Sequence, residues 1–248
     1  MRSRRQWNLS AKFMTTILTT SGTIKKIFSL EQLTIDLHAL EEKIIDREIS
    51  DVDLALKVRE TIESFSLELH TIHRIRESLS HGILKDRLLA KQNLFQGKRD
   101  LASNYLRLEA IVPHPSVGAL IEIWPLAHRS PIHAHGGSVG VIKILYGKIL
   151  IEFFTQLETH DQSRKKIEPK PFGEMIFHEG QATFLTSEIN AIHRLNQIAS
   201  DSDFSVSLQI YMRGKQKEFP YLDKNLTVQS LVPKVDLDYD DTRTLLSI

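Results

Sequence analysis

The chain has 248 residues, 41% hydrophobic and 25% charged, with a net charge of +1 and no cysteine. This is the composition of a globular protein of one large domain or two small ones. The near-zero charge offers no field for nucleic acid or an acidic membrane. The missing cysteines remove disulfides, thiolate metal sites and cysteine nucleophiles together, and the cytoplasm is the expected location.

Residues 1–28 read as a basic extension, because the first 30 positions hold six Lys or Arg and no acid. That composition suits a targeting peptide, but the apolar patch Phe13 to Leu18 is too short for a secretory segment. A basic tail, or a start upstream of Met14, is the plainer reading. No apolar run approaches the roughly 18 residues of a membrane span.

Residues 29–97 read as amphipathic helices that pack on a β-rich region C-terminal to them. Ser29-Leu30-Glu31-Gln32 is a capping pattern, and Leu30, Leu33, Leu37, Leu40 and Ile44 follow at helical spacing. A second stretch starts near Ser50 and carries Val58, Ile62, Phe65, Leu69 and Ile72 in alternating steps. A third runs from Ile83 to Phe95 and stops at Gly97. His38, His70, His73 and His81 are read as ordinary helical histidines.

In residues 98–233 the rhythm becomes period two. Tyr105 to Val112, Val117 to Trp124, Val139 to Leu145, Lys148 to Phe154, Glu174 to His178, Ala182 to Leu185 and Ser205 to Met212 read as strands. Turn signals separate them at Pro113-His114-Pro115, Gly136-Gly137, Tyr146-Gly147 and Gly173. Gln156 to Pro171 reads as a solvated loop, and residues 234–248 as a tail. Successive short strands without intervening helices predict an antiparallel sandwich or barrel.

The stretch Ser130 to Gly147, SPIHAHGGSVGVIKILYG, carries the chemistry. Residues i and i+2 of a strand share a face, so His133 and His135 can bind one metal. Their spacing to Gly140 and Gly147 follows the first motif of the cupin barrels, with Gly140 in place of the usual glutamate. Gly180 and Ile192-His193-Arg194-Leu195-Asn196 fall where the second motif supplies its histidine. Three neutral imidazoles leave the full +2 on a metal, which favours an anionic donor such as a thiolate. The same ligands suit zinc hydrolysis chemistry, so the metal stays open.

The last strand alternates Ser205, Ser207, Gln209 and Tyr211 with Val206, Leu208, Ile210 and Met212. The first alternates Tyr105, Arg107 and Glu109 with apolar residues. Periodicity leaves open which face turns inward.

His128-Arg-Ser-Pro-Ile-His133-Ala-His135-Gly-Gly-Ser with Lys143-Ile-Leu-Tyr-Gly147, His193-Arg-Leu-Asn, and Ser205-Val-Ser-Leu-Gln-Ile-Tyr211 together resemble the cysteine dioxygenase family of thiol dioxygenases. The resemblance covers roughly residues 100 to 213. It implies a mainly β fold, the small cupin barrel or double-stranded β-helix, with amphipathic α-helices outside it. It implies Fe(II) on His133, His135 and His193, and Arg107 on the substrate carboxylate. Tyr105 and Trp124 match pocket positions, and Tyr211 matches the active-site tyrosine, in line with Ser207 and Gln209. The implied reaction takes L-cysteine, or a related small thiol carboxylate, and O2 to the sulfinic acid.

Three positions depart from that family. Gly140 leaves Tyr211 an uncrosslinked phenol, Ala134 replaces an aspartate, and Gln209 stands where the family has histidine. An amide donates and accepts but does not titrate. Two other readings stay open: a cupin metalloenzyme of other chemistry (an isomerase or hydrolase), and a non-catalytic metal-binding cupin. Neither nucleic acid nor membrane is expected as a partner. The sequence sets no oligomeric state, and a monomer is the default.

Overall fold

Ser29 caps the first helix, its hydroxyl accepting from the Gln32 amide at 3.0 Å. Helix α1 (Leu30–Ile44) buries Leu30, Leu33, Leu37 and Ile44, the row its spacing predicts. The computed structural model describes residues 29–45, 48–94, 105–135, 137–198, 202–213, 219–223, 225–231 and 234–246. The basic extension, Phe95, Gly97, the boundary near residue 98 and Gly136 lie outside the described residues.

The second periodic run is two helices. Helix α2 (Asp51–Thr61), capped by Ser50, stops well before α3 (Leu69–His81) begins. The Lys143 ammonium, buried in the barrel wall, donates to the carbonyls of Ile62 and Glu63 and closes the helix end. Helix carbonyls left without partners at a C-terminus accept such a cation readily. Leu69 is 71% exposed, so its place in the periodic run is coincidental. Helix α4 (Ile83–Leu94) follows.

Thirteen strands come next among the described residues: β1 (Leu106–Glu109), β2 (Val117–Pro125), β3 (Ile132–Ala134), β4 (Val139–Tyr146), β5 (Lys148–Phe154), β6 (Thr159–His160), β7 (Lys166–Ile167), β8 (Gly173–His178), β9 (Ala182–Leu185), β10 (Ile192–Gln197), β11 (Phe204–Met212), β12 (Phe219–Leu222) and β13 (Val228–Leu231). One sheet runs β1-β2-β11-β4-β9 and the other β13-β12-β3-β10-β5-β8, with β6 and β7 forming a small ribbon in the polar loop. Neighbouring strands are antiparallel.

The chain changes sheet between β2 and β3, β3 and β4, β4 and β5, β8 and β9, β9 and β10, β10 and β11, and β11 and β12. Two sheets wound in this way make a double-stranded β-helix, the cupin barrel, with helices on its outside. Residues 239–246 form a final helix, α5 (Tyr239–Leu246), whose Leu246 joins the helical core. At eight residues its pattern is too short to stand out in the sequence.

Two cores share the first sheet. On the helix side Leu106, Leu108, Ile121, Ile123, Val206, Leu208 and Ile210 pack with α1 to α5. Inside the barrel lie Tyr105, Trp124, Ile142, Ile144, Ile149, Ile151, Phe153 and Leu195, with Tyr211 against them. The polar rows of β1 and β11 therefore turn inward, and their apolar rows face the helices. A sheet covered by helices reverses the usual rule for a surface sheet.

Gly147 links β4 to β5 at φ +73°, and a Cβ there would sit 2.6 Å from the Ser205 hydroxyl. That hydroxyl clamps the start of β5, donating to the Lys148 carbonyl at 2.9 Å. Gly147→Ala is expected to lower the unfolding free energy by about 2–3 kcal/mol, from the left-handed backbone and the displaced serine. Urea denaturation checks this. No described helix is long and apolar enough to cross a membrane.

Candidate metal centre

His133 and His193 are direct cross-strand partners of β3 and β10. Side chains so paired stand about 5 Å apart at Cβ on one face of the sheet. His135, two residues on, comes to the same side. The three ligand nitrogens lie within 4.8 Å of one another, the one gathering of three or more metal-binding side chains among the described residues.

The hydrogen bonds orient two of the rings. His133 Nδ1–H donates to the Pro131 carbonyl at 3.0 Å, and His193 Nδ1–H to the Asn190 carbonyl at 3.2 Å. A carbonyl only accepts, so each Nδ1 carries the proton and each Nε2 keeps its lone pair. His193 Nε2 is buried without a hydrogen-bond partner. Burial pushes His133 and His135 well below the usual imidazole range and brings His193 down to about 4. Three neutral imidazoles, two of them held by outer carbonyls, are a donor set that fits a borderline divalent ion such as Fe(II) or Zn(II).

Among the described residues no carboxylate joins them. Gly140 sits in register between Tyr211 on β11 and Leu185 on β9. A Cβ on it would meet the Leu185 side chain at 2.9 to 3.1 Å, so leucine fills the space a larger residue would take. The Tyr211 ring stacks on His135, centroids 4.6 Å apart at 23°.

The remaining residues singled out from the sequence form one connected cluster beside the triad. Tyr105 stacks on Trp124 at 4.1 Å. The Trp124 indole N–H donates to the Ser207 hydroxyl at 3.0 Å. Arg107 donates through Nη2 to the Tyr105 hydroxyl and through Nε to Glu122 Oε1 at 3.1 Å. Gln209 donates to the other oxygen of Glu122 and accepts from the Tyr211 hydroxyl. Ser207 stands 3.5 Å from the Gln209 amide nitrogen, a marginal contact. The line through Gln209 therefore ends on Glu122.

Glu122 is the residue the sequence reading missed. It is 3% exposed, on β2 opposite Arg107 on one side and Ser207 on the other. The available signal was an acid between Ile121 and Ile123, at the same strand parity as Trp124. Burial raises the Glu122 pKa, while the Arg107 guanidinium opposes that. Burial also works against charge on Arg107, but Tyr105 and Glu122 outweigh it and hold the guanidinium charged. A guanidinium does not give up its proton, and a neutral Glu122 would deprive it of the counter-charge at its Nε, so the pair is ionised. Burial likewise raises Tyr211 well above its usual value, leaving it a neutral phenol.

The sequence matches no protein-family model and no curated protein. Among solved structures it is similar to a Thermus thermophilus protein, at 13% identity and a TM-score of 0.32, over 44% of this chain and 82% of that one. A Klebsiella pneumoniae protein with a double-stranded β-helix domain gives 6% and 0.33, over 44% and 79%. A cupin superfamily protein of Desulfitobacterium hafniense gives 15% and 0.29, over 44% and 76%. The fold rests on the strand order and register above.

Proposed function

We propose that the protein is a mononuclear non-haem iron thiol dioxygenase that converts a small thiol and O2 to the sulfinic acid. The observation that carries this is a triad of neutral histidines, with no carboxylate among the described residues beside it, stacked against a partly buried tyrosine. The motif resemblance, which implies cysteine as the thiol, points the same way. Fe(II) held by His133, His135 and His193 would supply a centre at which thiolate and O2 meet. Without a protein carboxylate, the anionic ligand it lacks is the substrate's own sulfur.

The protein's share is binding, orientation and exclusion of water. Pro131 and Asn190 carbonyls hold two of the imidazoles in their binding tautomer. Ile142, Ile144, Phe153 and Leu195 give the barrel interior an apolar wall opposite its polar cluster, which limits water at the reacting sulfur. The neutral Tyr211 phenol, stacked over His135, offers a hydrogen-bonding oxygen to whatever occupies the cavity. Both oxygen atoms of O2 end on sulfur, which loses four electrons to them. The thiol proton leaves as the product ionises to the sulfinate.

The test is oxygen uptake by protein reconstituted with Fe(II) under anaerobic conditions, with cysteine, cysteamine and 3-mercaptopropionate offered in turn. The expected result is one O2 consumed per thiol, with both atoms recovered in a sulfinate. Protein that consumes no O2 with any of the three, or that purifies with one tightly held zinc and no iron, overturns the reading.

A further inference from the structure

Glu122 belongs to no motif in the chain, yet on β2 it links Arg107 of β1 to Gln209 of β11. Its two oxygens take Arg107 Nε–H and the Gln209 amide N–H. We propose that Glu122 sets the hydrogen-bond polarity of this cavity and with it the substrate class: a small thiol whose far end donates hydrogen bonds, an amine or ammonium, in preference to a thiol carboxylate. This rests on the thiol reading above and narrows it.

The placement of one proton decides the polarity. An ionised carboxylate has nothing to donate, so Gln209 must turn its NH2 toward Glu122. That leaves the Gln209 carbonyl oxygen facing Tyr211, and the single phenol hydrogen of Tyr211 goes to it. Toward the cavity Tyr211 then presents lone pairs alone. A ligand group placed there must bring its own hydrogen.

Arg107 gives the second half. By itself a guanidinium in this wall would suit a substrate carboxylate. Here its Nε–H is taken by the protein's own carboxylate and one Nη2–H by Tyr105, so a carboxylate can reach it only through the remaining N–H groups. The neighbouring charges cancel as well. Lys91 pairs with Asp236 at 2.6 Å, so Lys91, Arg107, Glu122 and Asp236 sum to zero. An incoming carboxylate meets a neutralised cation, an adjacent anion and a tyrosine that only accepts. An ammonium meets the Tyr211 acceptor, with no net charge nearby to oppose it.

Cysteamine and 3-mercaptopropionate test this, because they share a thiol on a two-carbon chain and differ at the other end. For the wild-type iron protein kcat/KM for cysteamine is expected to exceed that for 3-mercaptopropionate by about tenfold or more, the worth of one charge-assisted hydrogen bond. Glu122→Gln keeps the shape and removes the charge. Its new NH2 faces Gln209, which turns over, directs its own NH2 at Tyr211 and frees the phenol hydrogen for the cavity. The substrate ratio should then shift toward the carboxylate by about tenfold.

Calorimetry of the metal-free proteins with 3-mercaptopropionate gives a readout independent of turnover, and E122Q is expected to bind it more tightly than wild type. A wild type that prefers 3-mercaptopropionate or cysteine to cysteamine overturns the proposal and leaves the thiol reading standing. That comparison needs no variant, so it decides even if E122Q fails to fold. Absence of O2 uptake with every thiol ends the thiol reading instead. Calorimetry then judges Glu122 separately, and equal binding by wild type and E122Q overturns its role.

Discussion

His193→Ala is expected to lose the metal ion and, on the proposed function, to bring oxygen uptake to background while the barrel remains folded. His193 supplies a buried nitrogen lone pair with no other partner, at the centre of a cluster spanning 4.8 Å. Two imidazoles that remain cannot enclose the ion, and even outer partners of such ligands typically change affinity 10- to 100-fold. The fold survives because the cores on either side of the first sheet are apolar and do not include the ligands. Metal content per chain and circular dichroism check both halves. Stoichiometric iron in the variant would show that the ion sits elsewhere.

Acid adds a sign to the same result. The folded metal-free protein holds His193 near 4, whereas an unfolded histidine titrates near 6.5. Between those values the unfolded chain binds the additional proton, so stability is full above about 6.5 and is lost as pH falls toward 4. Metal-free His193→Ala should lose less stability over that window than metal-free wild type, by up to about 1.4 kcal/mol per pH unit.

Arg107→Met is expected to cost about 3–5 kcal/mol of unfolding free energy, because it strands the Glu122 carboxylate inside the barrel. The guanidinium and carboxylate side chains are 13% and 4% exposed, so water does little to screen them. Glu122→Leu should cost a similar amount by stranding Arg107. The double variant, with no charge left on either side, should recover most of the loss, since a buried pair replaced by apolar groups is often neutral in stability. Urea denaturation of the four proteins closes the cycle. Additive losses would mean that the two groups do not face each other as an ion pair.

The parts of the site that local rules control were legible. His133 and His135 share a face because of strand parity, and Ser207, Gln209 and Tyr211 share theirs for the same reason. Which face turns inward was hidden, because that depends on α1 to α5 covering the other side of the sheet. The break between α2 and α3 was hidden too, since no glycine or proline marks it. Glu122 looked like any acid in a strand until register set it between Arg107 and the β11 row.

The contact between Lys143 and the end of α2 has a consequence for how the molecule assembles. Its donor and acceptor are separated by 81 positions. The carbonyls just past α2 therefore gain this partner only when β4 arrives. Closing so long a loop costs chain entropy before the contact returns anything, and folds dominated by such distant pairings form slowly. The contact thus ties helices that look separable in sequence to the barrel.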